Sequence, residues 1–239
     1  MFTLDAVVPW GRSFDEYRSM FSLSARDLGL RILDCGGGPA SFNADGTRQG
    51  HSIVSCDPLY QFEAAAIANR IRATSDEILK QTRLNETEFV WSTIRSIAEL
   101  GELRRSAMRT FLDDYPAGRL AGRYVSGELP SLPFADCSFE LALSSHFLFL
   151  YTEQFDEAFH RAAILEMSRV AREVRVFPLL ALGAMPSRHV DPVANELQRR
   201  GFQVTIEQVP YEFQKGGNRM MRICRAGVDE ESGRRVDAR

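Results

Sequence analysis

Hydrophobic positions in the 239-residue chain first follow a helical rhythm. Phe14, Tyr17 and Phe21 recur at three- and four-residue intervals, and Ser13 stands three residues ahead of Glu16, the spacing of a capping box, which predicts a helix near 14–22. The rhythm then shortens. Leu30-Arg31-Ile32-Leu33-Asp34 predicts a strand that feeds the loop Cys35-Gly36-Gly37-Gly38. Pro39 to Asn43 is expected to open a helix, because proline is tolerated in a first turn. Ser52 to Asp57 predicts a second strand that stops at Pro58. Strand, glycine loop, helix and strand within about thirty residues make a βαβ unit, whose crossover should be right-handed.

Residues 61–122 break this alternation. Ile67, Ile71 and Ile78 mark one helix. Ser96 and Glu99 repeat the capping-box spacing ahead of Ile97, Leu100, Leu103, Ala107 and Phe111, which share one helical stripe. The span is too long and too helical for a plain connection, so it is read as a helical insertion. Strands are then expected at Arg123–Ser126 and Phe139–Ser144. Thr152 is expected to cap a helix whose inner face carries Phe155, Ala158, Phe159, Ala162 and Leu165. Glu173 to Leu180 reads as a buried strand, and Asp191 to Arg200 as a helix closed by Gly201. Phe202–Phe213 and Arg219–Cys224 form a hairpin pair joined by Gln214-Lys215-Gly216-Gly217-Asn218. The pattern predicts one α/β domain over 1–225 and a flexible polar tail over 226–239.

Composition changes this picture little. Hydrophobic residues are 44% of the chain, enough for a core, and the net charge of −3 gives no global reason to expect nucleic acid as a partner. No apolar run reaches the length of a membrane span. The N-terminus carries Asp5 early and lacks the layout of a signal peptide, so a soluble cytoplasmic protein is expected. The four cysteines, Cys35, Cys56, Cys137 and Cys224, contain no CxxC pair and no zinc-like spacing with histidine. They read as small packing residues, and no metal site is expected.

Chemistry concentrates in Leu33-Asp34-Cys35-Gly36-Gly37-Gly38-Pro39-Ala40. Glycines at the C-terminal edge of a parallel sheet let the backbone pass close to a ligand. A dinucleotide fingerprint would need a third glycine at position 41, which is Ser41, and Asp34 would repel a pyrophosphate. Both features disfavour an NAD-dependent oxidoreductase. S-adenosylmethionine, with a sulfonium and an ammonium against one carboxylate, suits an acid at Asp34. Asp57 closes the second strand, where its carboxylate is placed to accept both ribose hydroxyls.

This pattern resembles the class I S-adenosylmethionine-dependent methyltransferases, whose first motif is matched by Asp34-x-Gly36-x-Gly38, with Ala40 where the family often has a third glycine. The resemblance continues through Gly127-Glu128-Leu129-Pro130-Ser131-Leu132-Pro133-Phe134-Ala135-Asp136-Cys137-Ser138-Phe139-Glu140-Leu141, similar to the family's GDAxxLPFxDxSFDxV stretch with Glu128 in place of aspartate. It implies a Rossmann-like, doubly wound, mostly parallel sheet of seven strands with an antiparallel C-terminal strand. It also implies S-adenosylmethionine as cofactor, held by Asp34, Gly36, Gly37, Gly38, Asp57, Glu128, Leu129 and Ser144. Glu128 would accept the adenine amino group, and the Leu129 amide would face the ring. In the family, residues just past the fourth strand border the sulfonium and the acceptor, which points to Ser144-Ser145-His146.

The acceptor side is open to several readings. His146 is either a general base or a structural histidine; methyl transfer often needs no base, because alignment supplies most of the rate advantage. The arm Pro9-Trp10-Gly11-Arg12-Ser13-Phe14-Asp15-Glu16-Tyr17 is either a lid, with Arg12 or Tyr17 on the methionine carboxylate, or a staple that packs Trp10. Arg95, Arg104, Arg105 and Arg109 either bind an acidic acceptor or form a solvated helix face. A methyltransferase acting on a small molecule is the leading expectation. A cofactor-binding protein without catalysis is the alternative, because fold does not imply function.

Overall fold

A computed structural model describes residues 7–225; the tail expected over 226–239 lies outside the described residues. Seven strands form one sheet in the order β3-β2-β1-β4-β5-β9-β8. They are β1 (Arg31–Cys35), β2 (Ser52–Cys56), β3 (Tyr124–Val125), β4 (Phe139–Ser145), β5 (Ala171–Phe177), β8 (Phe202–Gln208) and β9 (Arg219–Arg225); β6 (Leu180–Ala181) and β7 (Met185–Pro186) form a separate two-stranded ribbon. The first five strands of the sheet pair in parallel, and β9 runs antiparallel to both β5 and β8. This is the Rossmann-like α/β architecture expected. The strand order reverses between β1 and its neighbours β2 and β4, and in such sheets ligands bind in the crevice beyond the strand C-termini at that point.

Alternation along the strands splits the core in two. Ile32, Leu141 and Leu143 face a cluster with Phe14, Tyr17, Met20 and Phe42, from helices α1 (Phe14–Met20) and α3 (Phe42–Arg48). Leu33, Ala142 and Val174 face the opposite cluster, with Ile164 and Met167 of α6 (Glu157–Val170) and Val193 and Leu197 of α7 (Val190–Arg199). A period-two pattern that is apolar on both sides requires helices on both faces, and the structure supplies them. A four-residue helix, α2 (Ala25–Leu28), capped by Ser24, links α1 to β1; the hydrophobic pattern gave no sign of it.

The insertion consists of α4 (Ala64–Leu84) and α5 (Ile97–Leu120). Its stripe packs Ile67, Ile71, Met108, Phe111 and Tyr115 together with Tyr60 and Tyr124 at the edge of the sheet. Tyr115 donates its hydroxyl to the Tyr60 and Phe62 carbonyls at 2.9 and 2.8 Å, fastening α5 to the segment after β2. Ser96 caps α5 by accepting from Glu99 N–H. The Glu99 carboxylate takes the Arg95 amide rather than that of Ser96, so only half of the expected box forms.

Other boundaries differ from the expectations for identifiable reasons. The helix after the glycine turn begins at Phe42, behind Ser41, and leaves Pro39 in the loop. Thr152 does not cap α6: its hydroxyl is buried and donates to the Phe149 carbonyl, and Asp156 caps instead by accepting from Phe159 N–H at 2.8 Å. The inner stripe of α6 therefore runs through His160, Ala163, Ile164 and Met167. β5 stops at Phe177 because Pro178 has no N–H for the ladder. β8 stops at Gln208, and the following loop turns onto the insertion, where Val90 N–H donates to the Phe213 carbonyl at 2.7 Å.

One ion pair joins three of these segments. Arg104 of α5, fully buried, meets Glu16 of α1 with both terminal nitrogens at 2.6 Å. Tyr211, in the loop after β8, donates to the same carboxylate at 2.9 Å, and Ser13 N–H closes the capping box on it at 2.9 Å. This corrects the alternatives drawn for Arg104, which is neither solvated nor free for a ligand. Burial opposes the charge on Glu16, but Arg104 outweighs it and holds the carboxyl down at about 2. Removing one partner strands a buried charge, so Glu16→Ala should cost about 3–5 kcal/mol of stability in denaturant unfolding at pH 7. Glu16 has its pKa depressed from 4.5, so its contribution is complete above that value and is lost as pH falls toward 2. The difference between wild type and Glu16→Ala should therefore shrink only below pH 4.5.

Candidate functional site

The glycine turn after β1 is built by close approach. Gly36 and Gly38 take φ of +69° and +53°, backbone that favours glycine. A Cβ on Gly37 would fall 2.0 Å from an Asp34 carboxylate oxygen. The turn is pinned by Gly36 N–H, which donates to the Cys56 carbonyl at 2.9 Å, and by the Tyr60 hydroxyl, which donates to the Gly38 carbonyl at 2.7 Å.

Asp34 sits beneath this turn. It accepts from the Tyr17 hydroxyl at 3.0 Å and from Ser55 Oγ at 3.1 Å and is buried. Burial raises its pKa to about 7 against the pull of those two hydrogen bonds, and the Asp57 charge raises it further. Asp57 follows β2 and lies on the cavity wall. Its carboxylate accepts Gly38 N–H at 2.9 Å on one oxygen and Leu59 N–H at 2.7 Å on the other. Burial raises its pKa to about 6 despite these two amides. Each oxygen of a carboxylate retains a second acceptor direction, so Asp57 still has capacity toward the cavity.

The cavity has a volume of about 610 Å³, within the range of about 300–1,000 Å³ typical of small-molecule sites. Its lining includes Gly36, Gly37, Gly38 and Asp57, and an apolar chamber of Trp10, Ile78, Phe89, Leu100 and Phe213, which pack in one cluster. Arg12, Tyr17, Ser145 and His146 line the same cavity. The chamber wall therefore combines the N-terminal arm, both insertion helices and the loop after β8.

His146 adopts φ of +54°, fixed by its N–H donating to the Phe177 carbonyl at 2.7 Å. Its Nδ1 lies 3.0 Å from Ser145 Oγ. Burial, then the charges of Arg12 and Arg104, push its pKa well below 6.5. The imidazole on this wall is thus neutral at physiological pH, and a weak base.

The expected site residues divide on this geometry. Gly36, Gly37, Gly38, Asp57 and His146 line the cavity together. Asp34 supports the turn from behind rather than lining it. Ser144 corrects an expectation: it is fully buried, its Oγ has no hydrogen-bond partner, and strand alternation gives the wall position to Ser145. Glu128 is exposed and Leu129 belongs to the core; neither lines this cavity. Their segment still approaches the strand ends, since a Cβ on Gly127 would come within 2.9 Å of Cys56 Sγ. The aromatic chamber was missed, because Phe89 and Phe213 are 124 positions apart in the numbering and carry no local signal. Cys35 and Cys56 are register partners in β1 and β2 and are buried, as expected of packing residues. Among the described residues no cluster of metal-ligating side chains occurs, and no helix is long and apolar enough to cross a membrane.

No known family profile matches the chain. Among solved structures it is similar to magnesium protoporphyrin IX methyltransferase of Synechocystis PCC 6803 with bound SAM, at 11% identity, 89% of this chain, 91% of that chain and a TM-score of 0.44. It is also similar to a putative RNA methyltransferase, PH1948 of Pyrococcus horikoshii, at 9% identity, 88% and 82% coverage and 0.42. A SAM dependent methyltransferase from Aquifex aeolicus follows at 12% identity, 82% and 80% coverage and 0.39. These scores are below 0.5, and the chemistry of the site rests on its own residues. In sequence, the uncharacterized protein MJ0045 of Methanocaldococcus jannaschii is 34% identical over 216 residues, covering 90% of this chain and 95% of its own. The chain belongs to the family of this archaeal protein.

Proposed function

We propose that the chain is an S-adenosylmethionine-dependent methyltransferase acting on a small molecule. The observation that carries this reading is Asp57, a carboxylate on the cavity wall beside a glycine turn, with acceptor capacity left over after its two backbone bonds. A Cβ on Gly38 would meet nothing nearer than Asp57 Oδ2 at 4.0 Å, so the space in front of the carboxylate is open to a ribose.

In this reading Asp57 accepts from the ribose hydroxyls, and Asp34 holds the turn in the shape that brings Gly36, Gly37 and Gly38 against the nucleoside. Glu128 and Leu129 border the adenine side, beyond the cavity described. The bound cofactor supplies a methyl group on a sulfonium, already a strong electrophile. The chain's own contribution is alignment and exclusion of water: the chamber of Trp10, Ile78, Phe89, Leu100 and Phe213 orients an acceptor in line with that methyl. His146, neutral and weakly basic, accepts a hydrogen bond from the acceptor rather than driving its ionisation.

Calorimetry with S-adenosylhomocysteine tests the assignment. Charge-assisted hydrogen bonds contribute about 1.5–3 kcal/mol each, so Asp57→Ala should weaken binding at least tenfold. At a hundred times the dissociation constant the wild type should gain roughly 2.7 kcal/mol in thermal unfolding, with no gain from NAD. An equal response to both, or an unchanged affinity in Asp57→Ala, would refute the reading.

The ionisation of Asp57 makes a second test. A ligand that needs the carboxylate binds the deprotonated form, and this group titrates near 6 without ligand. Affinity should be flat above pH 7 and should fall by up to tenfold per pH unit below 6. Asp57→Asn should flatten that limb.

A further inference from the structure

We propose that Arg12 anchors a carboxylate carried by the methyl acceptor, so that the acceptor is a hydrophobic organic acid. This rests on the methyltransferase reading and specifies its substrate class. The argument begins with a local imbalance of charge. Two guanidinium groups, Arg12 and Arg104, stand near one carboxylate, Glu16, which each senses electrostatically. Glu16 is fully committed. Its two oxygens accept both terminal nitrogens of Arg104, the Tyr211 hydroxyl, and the amide and hydroxyl of Ser13. A carboxylate offers about four acceptor directions, so none remains for Arg12.

Arg12 itself is under-used. Its one hydrogen bond runs from Nη1 to the Trp10 carbonyl at 2.7 Å. Its Nε is shut off from water without a partner, and among the described residues no carboxylate forms an ion pair with it. A guanidinium has five N–H donors in a planar fork suited to a carboxylate. The groups around it bring no anion: Tyr17 and Tyr211 are neutral hydroxyls that donate to Asp34 and Glu16 and receive no hydrogen bond from Arg12, and His146 carries no charge at neutral pH. Burial and the neighbouring Arg104 both weigh against the charge on Arg12. Arg12 is half-buried, so its remaining donors are open to a ligand in the cavity.

The position of Arg12 identifies what that ligand is. It lines the cavity, tied by its main chain to the segment after the glycine turn through Ser41 N–H and by its guanidinium to Trp10 of the apolar chamber, and Arg70 of α4 is a second cation in the lining. Among the described lining residues the carboxylate is Asp57, which is held at the glycine turn by Gly38 N–H. A sulfonium placed beside a free guanidinium would be repelled, and an anion between them removes the repulsion. An apolar body with one acidic head fits the chamber and the guanidinium together. The amino-acid end of the cofactor offers the same chemistry from another source, which the test must separate.

The experiment measures binding of 3-phenylpropionate and of its uncharged amide to the chain saturated with S-adenosylhomocysteine. Affinities of the wild type, Arg12→Gln and Arg12→Lys for S-adenosylhomocysteine and 5′-methylthioadenosine are measured alongside. The acid should bind the wild type at least tenfold better than the amide. Arg12→Gln should erase that ratio while leaving S-adenosylhomocysteine within twofold, and Arg12→Lys, which keeps the charge, should retain most of it. A lack of acid preference in the wild type, whether both probes bind or neither does, overturns the proposal. So does a loss of S-adenosylhomocysteine affinity in Arg12→Gln with 5′-methylthioadenosine unchanged, because the carboxylate would then be the cofactor's own. If the wild type binds neither nucleoside, the methyltransferase reading fails instead; the acid-to-amide ratio of the ligand-free chain then still reports on Arg12. Should Arg12→Gln not fold, the wild-type ratio and the Arg12→Lys series decide the question.

Discussion

A single carboxylate, Glu16, holds the roof of the cavity to its floor. It closes the first helix through Ser13, takes Arg104 from the insertion and receives Tyr211 from the loop that follows the sixth strand of the sheet. None of these segments borders the others in sequence. The insertion and the loop are also joined by backbone bonds, Val90 N–H to the Phe213 carbonyl and Lys215 N–H to the Glu88 carbonyl, but Glu16 is the point at which the first helix joins both. The cost of burying the charges is offset by complete hydrogen bonding of the carboxylate, the condition under which such a pair is tolerated.

The same saturation gives the cavity its polarity. Acid groups gather under and beside the glycine turn, where burial raises Asp34 to about 7 and Asp57 to about 6. Of the two guanidinium groups near Glu16, Arg104 is neutralised in the core and Arg12, which is not, lines the cavity. The lining therefore carries both signs of charge. A cavity lined evenly with either sign would distinguish its occupants less well.

Much of the scaffold is legible from local pattern. Ser13 and Glu16 form the expected box, β1 and β2 pair around the glycine turn, and Gly201 closes α7 with φ of +84°. What escapes is set by tertiary contacts. Arg104 lies beside Leu103 and three residues from Ala107 of the expected stripe, and the buried face extends to include it, but an arginine there reads as solvent-facing until its partner 88 positions away is known. Ser144 and Ser145 differ only in the parity of β4, and an error of one residue exchanges a core position for a wall position. Thr152 looked like a cap because the left-handed turn at Phe149, which delays α6, has no signature in a non-glycine residue.

The adjacent thiols Cys35 and Cys56 stand at the ends of the strands that carry the glycine turn. Burial raises both, Cys56 to about 12 and Cys35 well above its ordinary value. Thiolate, not thiol, is the form that attacks electrophilic carbon. Any alkylating compound held at these strand ends thus faces sulfur in its unreactive form. The burial that suits these two thiols to packing is the same burial that keeps them protonated.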